Sequence, residues 1–433
     1  MLTNPVVLSV IIMTILCLLK VNVLISIIIA AIAGGLFSGM SIIETMSTLI
    51  GGMGGNAETA LSYILLGTLA VAIEKTGIAQ VLVIKIRNVI KNKKKTFILL
   101  IAAVACLSQN LIPVHIAFIP ILIPPLLGLM NKLKIDRRAV ACALTFGLKA
   151  PYVMVPVGFG LIFHNIIRDA LIDNGVMVET EMIWKSMFLP GVGMIIGLFV
   201  AVLITYRKSR EYKDIDINNT DEHNQSIELK KEHFGALVGT AGAFIVQIFT
   251  DSLPLGALVG ILLMMLFGAF KFNELDEMMN GGIKLMGFIA FVMLVAAGYG
   301  EVIRATGGVE SLVKTAVGIM GGSKFVGAFL MLLIGLIVTM GIGTSFGTIP
   351  VIATIFVPLS LEMGFSPAAI IALVGTAGAL GDAGSPASDS TLGPTSGLNV
   401  DGQHDHIWDT CVPTFIHYNI PLLIFGTITA MIL

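Results

Sequence analysis

One stretch near the C-terminal end constrains the fold more than any other. It reads GDAGSPASDSTLGP over residues 381–394, and it directly follows the apolar run 368–380. Lipid offers no partners for the backbone groups that Pro and Gly leave unpaired, so such a stretch is tolerated at bilayer depth only inside protein or beside a water-filled cavity. Transporters place binding sites in interrupted helices of this kind. The alternative is an extramembrane loop after a short helix.

The composition is typical of an all-α polytopic membrane protein. Of the 433 residues, 56% are hydrophobic, 12% are charged and 47 are glycine, which is too apolar for a soluble domain. The net charge of −1 does not indicate a nucleic-acid partner. We interpret the scattered cysteines as small buried thiols without disulfide or metal roles; they are Cys17, Cys106, Cys142 and Cys411.

We predict about ten membrane spans, because a span needs roughly 20 apolar residues. The first has no basic residue before it, which favours a retained span over a signal peptide. The Gly-broken segment 40–56 is predicted to lie along the membrane interface. The predicted spans are 6–19, 21–36, 59–73, 139–163, 187–206, 234–249, 255–270, 278–303, 368–380 with the break after it, and 412–432.

Two further apolar blocks are predicted to be re-entrant hairpins. Block 96–130 has a polar tip at 108–113, and block 325–363 has one at 343–350. The first arm of the first block reaches only about 18 Å as a helix, roughly half the bilayer. Because both of its flanks are basic, it is expected to enter and leave on the cytoplasmic side. We also predict a helix break at 147–151.

Pro, Gly and Ser residues that recur in the same order indicate an internal repeat of residues 1–212 and 233–433. A cytoplasmic linker at 213–232 joins the two halves. Five spans in each half would insert the halves in opposite orientations. Most Lys and Arg residues fall on the linker side, as cytoplasmic loops require. Both termini would then be extracellular or periplasmic, with the inner membrane as the default location. The matches include Ile73, Thr76 and Gly77 with Ile303, Thr306 and Gly307, Ser108 and Pro113 with Ser345 and Pro350, and Pro151 and Gly158 with Pro386 and Gly393.

Two hairpin tips and two broken helices would meet at the bilayer centre. Helix N-termini there attract anions, and helix C-termini attract cations. Neutral oxygens of the kind that Na⁺ accepts are predicted at the tips, although plain capping of the arms is the alternative. The predicted ion-binding residues are Thr344, Ser345, Thr348, Asp382 and Ser388, and the predicted substrate-binding residues are Ser108, Asn110, Lys149, Thr344, Ser345, Ser385 and Asp389.

Lys149 and Asp382 are the intramembrane charges, and a buried charge without a partner is costly. We hypothesise that Lys149 either holds a substrate carboxylate or substitutes for a sodium ion. A purely structural bridge between the two is the alternative. An amino-acid substrate would suit this mixed site, with its carboxylate facing Lys149 and its ammonium facing Asp382 or Asp389.

Several histidines are interpreted as structural. His115 and His164 lie in apolar runs and are typical of helix packing. His404-Asp405-His406, with Asp401 and Asp409, resembles a metal-ligand cluster, but a solvated loop is the favoured interpretation.

The run GDAGSPASDSTLGPTSGLNVDGQHDHIWDT resembles the Na⁺/H⁺ antiporter family of the NhaC-like kind, within the ion transporter superfamily. That resemblance covers essentially the whole chain, and some relatives resemble histidine or basic amino-acid permeases. It implies an elevator-type dimer with two cation sites and no cofactor beyond the coupling Na⁺ or H⁺. The transport domain would comprise 96–206 and 325–433, and the scaffold the remainder. Ser108-Gln109-Asn110 and Thr344-Ser345-Phe346 match the superfamily tips imperfectly, so one sodium site near the second tip is expected.

The sequence therefore predicts a cation-coupled secondary transporter of a small solute, such as the amino acid histidine. The alternative is Na⁺/H⁺ exchange without an organic substrate. A channel and an intramembrane enzyme are disfavoured, the latter because no nucleophile–base pair or metal-ligand spacing lies within the spans.

Overall fold

The structure is a computed structural model. It describes residues 4–19, 21–77, 94–110, 119, 122–213, 230–250, 252–308, 311, 315, 318, 322–342, 344–386 and 388–433. These residues form helices joined by short turns and loops, with no strand among them. The first predicted hairpin tip continues past residue 110, and that part, together with His115, lies outside the described residues.

The helices before the linker match most of the predicted spans. α7 and α8 together cover the predicted span 139–163, and α9 continues through a π-helical turn at Ala201–Thr205. The nine helices described in this half are α1 (Pro5–Leu18), α2 (Val23–Ser38), α3 (Ile42–Gly52), α4 (Ala57–Lys75), α5 (Lys94–Asn110), α6 (Pro124–Lys132), α7 (Arg137–Met154), α8 (Phe159–Asp173) and α9 (Thr180–Val200).

The helices after the linker end in one long, partly π-helical rod. The described helices of this half are α10 (Lys231–Thr250), α11 (Leu253–Leu266), α12 (Leu275–Ala305), α13 (Lys324–Ile342), α14 (Ser345–Glu362), α15 (Pro367–Ala379), α16 (Asp389–Leu398) and α17 (His406–Ile432).

Side-chain caps fix where several of these helices begin. Asp136 accepts a hydrogen bond from the Arg138 backbone N–H at 3.0 Å and starts α7. Ser366 does the same for α15, where Pro367 occupies the first turn. Caps of this kind satisfy N–H groups that have no partner within the helix. In lipid, where water is absent, that requirement is stricter.

Most close packing falls within two neighbourhoods of helices, which meet where α12 contacts α14 and α1 contacts α13. α4 packs against α12 and α11, and α12 also contacts α2 and α3. In the other neighbourhood α7 packs on α5, α9 and α16, while α15 contacts α9, α13, α14 and α17. A Cβ on Gly147 would lie 2.2 Å from the Cβ of Ala105, so α5 and α7 approach as closely as only a glycine allows. The assignment of these groups to scaffold and transport domains stays a prediction.

Length and apolar composition support a multi-pass membrane protein. Among the described residues, four helices are long and apolar enough to cross a bilayer: Thr180–Thr205, Met286–Ala305, Ser345–Glu362 and His406–Ile432. Two pairs bent by 54° and 48° raise the number to six if each pair is one span: Ile42–Gly55 with Ala60–Lys75, and Arg137–Met154 with Phe159–Asp173. The predicted total of ten spans and two hairpins stays a prediction.

The break in the first half lies later than predicted. α7 runs unbroken through 147–151 with Pro151 inside it, and the chain leaves the helix at residues 155–158. Val155 is extended, as the residue before a proline prefers to be. Gly158 then adopts φ 58° before α8 begins. Pro156, and not Pro151, therefore ends α7.

The break in the second half is shorter than predicted. The chain leaves α15 at Leu380, and α16 already begins at Asp389, so the predicted stretch is helical from 389 onward. Gly381 and Gly384 have φ of 82° and 108°, a region that glycine enters without strain. The second hairpin tip is also shorter than predicted, because 345–350 form the first turns of α14.

Candidate functional site

Lys149 and Asp382 form a buried ion pair between the two halves of the chain. Lys149 lies in the last half of α7, and Asp382 lies in the break between α15 and α16. Their side chains are 1% and 10% exposed. The sequence predicted this approach, and the structure brings the two residues together. Because each charge is removed from water, each depends on the other for compensation.

Two hydroxyl groups complete one side of the pair. The Ser345 Oγ donates to Asp382 Oδ2 at 2.7 Å and accepts from the Lys149 ammonium at 3.1 Å. The Tyr152 hydroxyl lies 3.0 Å from Ser345 Oγ and donates to Asp382 Oδ2 at 3.3 Å. The Ser345 backbone N–H, at the first residue of α14, also points to Asp382 Oδ2 at 3.3 Å. One carboxylate oxygen thus holds the second hairpin tip and α7 together.

The other carboxylate oxygen is held by the start of α16. Ser388 Oγ donates to Asp382 Oδ1, and Ser390 Oγ lies 3.4 Å from the same oxygen. Ser388 also caps α16 by accepting from the Ser390 backbone N–H at 3.1 Å. Asp382 with these serines offers a carboxylate and several neutral oxygens, the ligand type that hard cations prefer.

The Asn419 side chain bonds two backbone groups of the break between α15 and α16. Its Oδ1 accepts from the Gly381 N–H at 2.9 Å, and its Nδ2 donates to the Ala383 carbonyl at 2.6 Å. These are the kinds of backbone group that a helix break leaves without partners. A Cβ on Gly384 would lie 2.6 Å from the Phe415 Cβ, so the break is pressed against α17.

The remaining predicted residues lie around this centre with different roles. Thr344 precedes α14 without a side-chain cap, and Thr348 Oγ1 donates to the Thr344 carbonyl at 2.8 Å. Ser385 Oγ donates to the Met340 carbonyl at 3.2 Å. Asp389 is the first residue of α16. Ser108 and Asn110 are in the last turn of α5, and their side chains lie outside what the structure describes. Their roles in binding stay predictions.

Sequence reasoning missed three residues of the site: Tyr152, Ser390 and Asn419. Tyr152 follows Lys149 by three positions, and residues three apart share a helix face, so that spacing was a usable signal. Ser390 lies in the polar run itself, two residues after the predicted ligand Ser388, and that spacing was a second usable signal. Asn419 is one of several polar residues in the last predicted span, and nothing in its position along the chain connects it to residue 381.

A second buried ion pair lies at the N-terminal end of α7. The Arg137 guanidinium forms a bidentate pair with Asp401 at 2.6 and 2.5 Å, and the side chains are 0% and 2% exposed. Arg137 also donates to the Leu398 carbonyl and to Asn131, both at 3.0 Å, and lies over the Tyr212 ring at 4.2 Å. Burial acts to raise the pKa of Asp401, but the hydrogen bonds from Arg137 outweigh it and lower that pKa.

The interpretation of the 404–406 stretch as a solvated loop was wrong for His404, whereas Asp405 is exposed and His406 is half-buried. His404 and Asp409 are buried, and His404 Nε2 lies 2.7 Å from Thr410 Oγ1. Burial lowers the pKa of His404 to about 4. The loop is covered because the chain after α9 folds back on it, with Arg210 pairing Asp409 at 2.7 Å. Among the described residues, no group of three or more His, Cys, Asp or Glu side chains is placed to hold a metal ion.

Comparisons with known proteins place this architecture in a family. A family model described as "Na+/H+ antiporter family" matches residues 143–427, which include Lys149, Asp382 and both ends of the break. The chain belongs to the Na⁺/H⁺ antiporter family. A second model, "Na+-H+ antiporter family", matches residues 4–90 of this antiporter-family protein.

Relatives match the antiporter-family protein along nearly its whole length. "Uncharacterized membrane protein VP2115" of Vibrio parahaemolyticus is 52% identical, covering 99% of this chain and all of the relative. "Putative amino acid transporter YuiF" of Bacillus subtilis is 49% identical, covering 99% of this chain and all of its own. The crystal structure of the Alcanivorax borkumensis YdaH transporter is 15% identical with a TM-score of 0.63 over 98% of each chain, which shows a shared fold.

The antiporter-family protein is therefore a multi-pass membrane transporter and not an enzyme.

Proposed function

We propose that this protein is a cation-coupled secondary transporter of a small zwitterionic solute, an amino acid. The observation that carries the proposal is the buried Lys149–Asp382 pair, which lies where the chain interrupts a helix between α15 and α16. Interrupted helices at membrane depth are how transporters expose backbone groups and charges to their cargo.

Lys149 acts as an internal substitute for the coupling cation. Asp382 presents one oxygen to Ser345 and the other to Ser388, so a cation bound there would be surrounded by oxygens as soon as Lys149 withdrew. Na⁺ and the Lys149 ammonium then compete for one carboxylate. If Lys149 gives up a proton when Na⁺ binds, the competition couples the ion to proton movement, because a desolvated lysine loses its proton more readily.

If Lys149 instead withdraws with its proton retained, its ammonium supplies the attraction for a substrate carboxylate. Asp389, which follows Ser388 in the chain and is the first residue of α16, supplies a negative charge for an ammonium group. Charges of both signs within one buried site suit a zwitterion better than a simple anion or cation. The name of the Bacillus relative, which refers to amino acid transport, supports this choice of solute.

The remaining parts of the proposal follow from the predicted topology. We place 96–206 and 325–433 in a moving domain, with the other helices as a scaffold that pairs in a homodimer. Movement of the first against the second carries the site across the inner membrane in an elevator-type cycle. The termini are proposed to lie on the extracellular or periplasmic side.

A panel of labelled L-amino acids and small carboxylates, offered to proteoliposomes of the purified protein, tests the proposal. Uptake of an amino acid driven by an inward Na⁺ or H⁺ gradient is the expected result, and the carboxylate analogue without the amino group should compete poorly. Absence of gradient-driven uptake for every member of the panel would contradict the proposal.

The second candidate is Na⁺/H⁺ exchange without an organic solute, which the family model favours. Competition between Na⁺ and a proton on Lys149 would be enough for it. A pH-sensitive dye trapped in the same vesicles distinguishes the two. Sodium-driven proton movement in the absence of any solute supports exchange, and proton movement that requires the amino acid supports the transporter.

A further inference from the structure

Tyr63 carries a buried hydroxyl that the protein leaves unbonded. Tyr63 lies in the middle of α4 and is 1% exposed, and within the described part of the chain its hydroxyl has no hydrogen-bond partner. A buried polar group without a partner costs about 1–3 kcal/mol. Phenylalanine would fill the same space without that cost, so packing alone does not explain the hydroxyl.

The ring of Tyr63 is next to the central site. It meets Phe346 edge-on with 5.8 Å between ring centroids and Phe159 at 6.2 Å. Phe346 follows Ser345 in the chain, and its ring contacts Tyr152 at 5.2 Å. Tyr63 therefore lies one ring away from Tyr152 and next to the residue that follows Ser345. Tyr152 and Ser345 are two of the three residues whose side chains bond Asp382 Oδ2.

The charges that reach the Tyr63 hydroxyl are negative. Asp389 and Asp382 are close enough to act on it electrostatically. Tyr63 comes from α4, which packs on α12 and α11, whereas Lys149 and Asp382 belong to the other helix neighbourhood. Tyr63 thus reaches the surroundings of the site from α4, through its ring contacts with Phe346 and Phe159.

We propose that the Tyr63 hydroxyl accepts a hydrogen bond from the ammonium group of the transported solute and is a specificity-determining residue. This inference rests on the proposed function and narrows it. The solute carries an ammonium group directed at Tyr63, Asp389 and Asp382, and a carboxylate directed at Lys149. The hydroxyl is unbonded in the protein alone because its partner is the solute.

Tyr63→Phe tests the inference, since it removes only the hydroxyl. In proteoliposomes under a Na⁺ gradient, the KM of the transported L-amino acid should rise about tenfold, which corresponds to about 1.4 kcal/mol. The maximal rate and the half-saturating Na⁺ concentration should stay within twofold of the wild type, and the melting temperature should not fall, because the variant removes an unbonded buried hydroxyl. Discrimination against the analogue without the amino group should fall by a similar factor.

Tyr299→Phe is the matched control. Tyr299 is equally buried, but its hydroxyl lies 3.0 Å from Ser9 Oγ and is bonded. Its loss should lower the melting temperature and leave the KM unchanged, the opposite of the Tyr63 variant.

The results separate the two levels of the argument. A wild type that transports an amino acid, with an unchanged KM in Tyr63→Phe, overturns the Tyr63 inference and leaves the proposed function standing. A rise in half-saturating Na⁺ instead of KM also overturns it, because the hydroxyl would then serve the cation. A wild type that takes up no amino acid removes the proposed function and this inference together.

Discussion

Two buried ion pairs connect the first half of this chain to the second, and they are built differently. At the Arg137–Asp401 pair, four of the five guanidinium N–H groups have oxygen partners, and only Nε is left without one. At the Lys149–Asp382 pair, the ammonium has two recorded partners, Asp382 and Ser345, for three N–H groups.

The residue types make the same distinction. Arginine stays charged and locks into a fork geometry, whereas lysine is a point charge that can lose its proton when buried. Hydroxyl groups surround the Lys149 pair, and they accept a metal cation as readily as an ammonium. We propose that the Arg137–Asp401 pair is a permanent structural contact, whereas at the Lys149–Asp382 pair a cation can replace the ammonium. Each prediction below changes one of the two pairs or a residue beside it.

The largest effect is expected from Asp382→Asn. Removing the charge that Na⁺ and Lys149 share should lower gradient-driven uptake at least about 100-fold, equivalent to about 2.7 kcal/mol. Asp401→Asn makes the same chemical change at the other pair and should leave uptake per folded molecule within about twofold. Initial rates in proteoliposomes with quantified protein measure both. Wild-type uptake by Asp382→Asn would show that the central pair is structural.

The next effect is on stability, at the Arg137 pair. Arg137→Met leaves Asp401 buried without a partner and should lower the free energy of unfolding by about 3–5 kcal/mol. Arg137→Met combined with Asp401→Leu should recover most of that loss, because well-packed apolar pairs replace buried ion pairs at little cost. Denaturant titrations in mixed micelles measure the difference.

The same kind of double replacement can be made at the Lys149–Asp382 pair and compared with that at the Arg137–Asp401 pair. Lys149→Met with Asp382→Leu should fold with at least wild-type stability and transport nothing. If the double variant at the centre were instead strongly destabilised, the serines around Asp382 would be serving the fold and not a cation.

A smaller effect, on pH dependence, is expected beside the Arg137 pair at His404. Burial lowers the pKa of His404 from 6.5 to about 4, with Asp409 and Asp136 opposing that shift and Arg137 and Arg210 adding to it. The unfolded chain takes up a proton below pH 6.5 that the folded chain refuses, so stability is complete above pH 6.5 and falls as the pH drops towards 4. The loss is about 3 kcal/mol, at roughly 1.4 kcal/mol for each unit.

Unfolding measured at pH 7.5 and at pH 4.5, for wild type and for His404→Gln, checks this pH dependence. The variant should be less stable than the wild type at pH 7.5 and lose less on acidification. Equal losses in the two proteins would show that His404 does not control acid sensitivity.

The sequence was enough to predict the Lys149–Asp382 pair, but not the exact helix breaks or the burial of His404. Lys149 and Asp382 could be paired in advance because two intramembrane charges have few other ways to be compensated. The exact helix breaks could not, since Pro151 and Pro156 look alike in the sequence and only packing decides which one ends α7. His404 was misjudged because its burial depends on Arg210, which folds back from 194 positions away in the chain.

The smallest effects should separate the two serines that face Asp382 Oδ1. Ser388→Ala removes the direct donor to that oxygen, so the half-saturating Na⁺ concentration should rise about fivefold to tenfold, in line with about 1 kcal/mol for one hydrogen bond. Ser390 lies 3.4 Å from the same oxygen, and Ser390→Ala should raise it no more than about threefold. Ser396→Ala is the control, since Ser396 Oγ bonds only the Gly393 carbonyl within α16 at 2.7 Å.

The three variants can be compared by the size of their effect on the half-saturating Na⁺ concentration, because each loses one serine hydroxyl group. A gradient from Ser388 through Ser390 to Ser396 follows the distance to Asp382 and marks Oδ1 as a cation ligand. If Ser388→Ala changed the melting temperature but not the sodium dependence, its hydroxyl would be acting only as the cap of α16. The Lys149–Asp382 pair would then resemble the Arg137–Asp401 pair, and the exchangeable site would have to lie nearer Ser345.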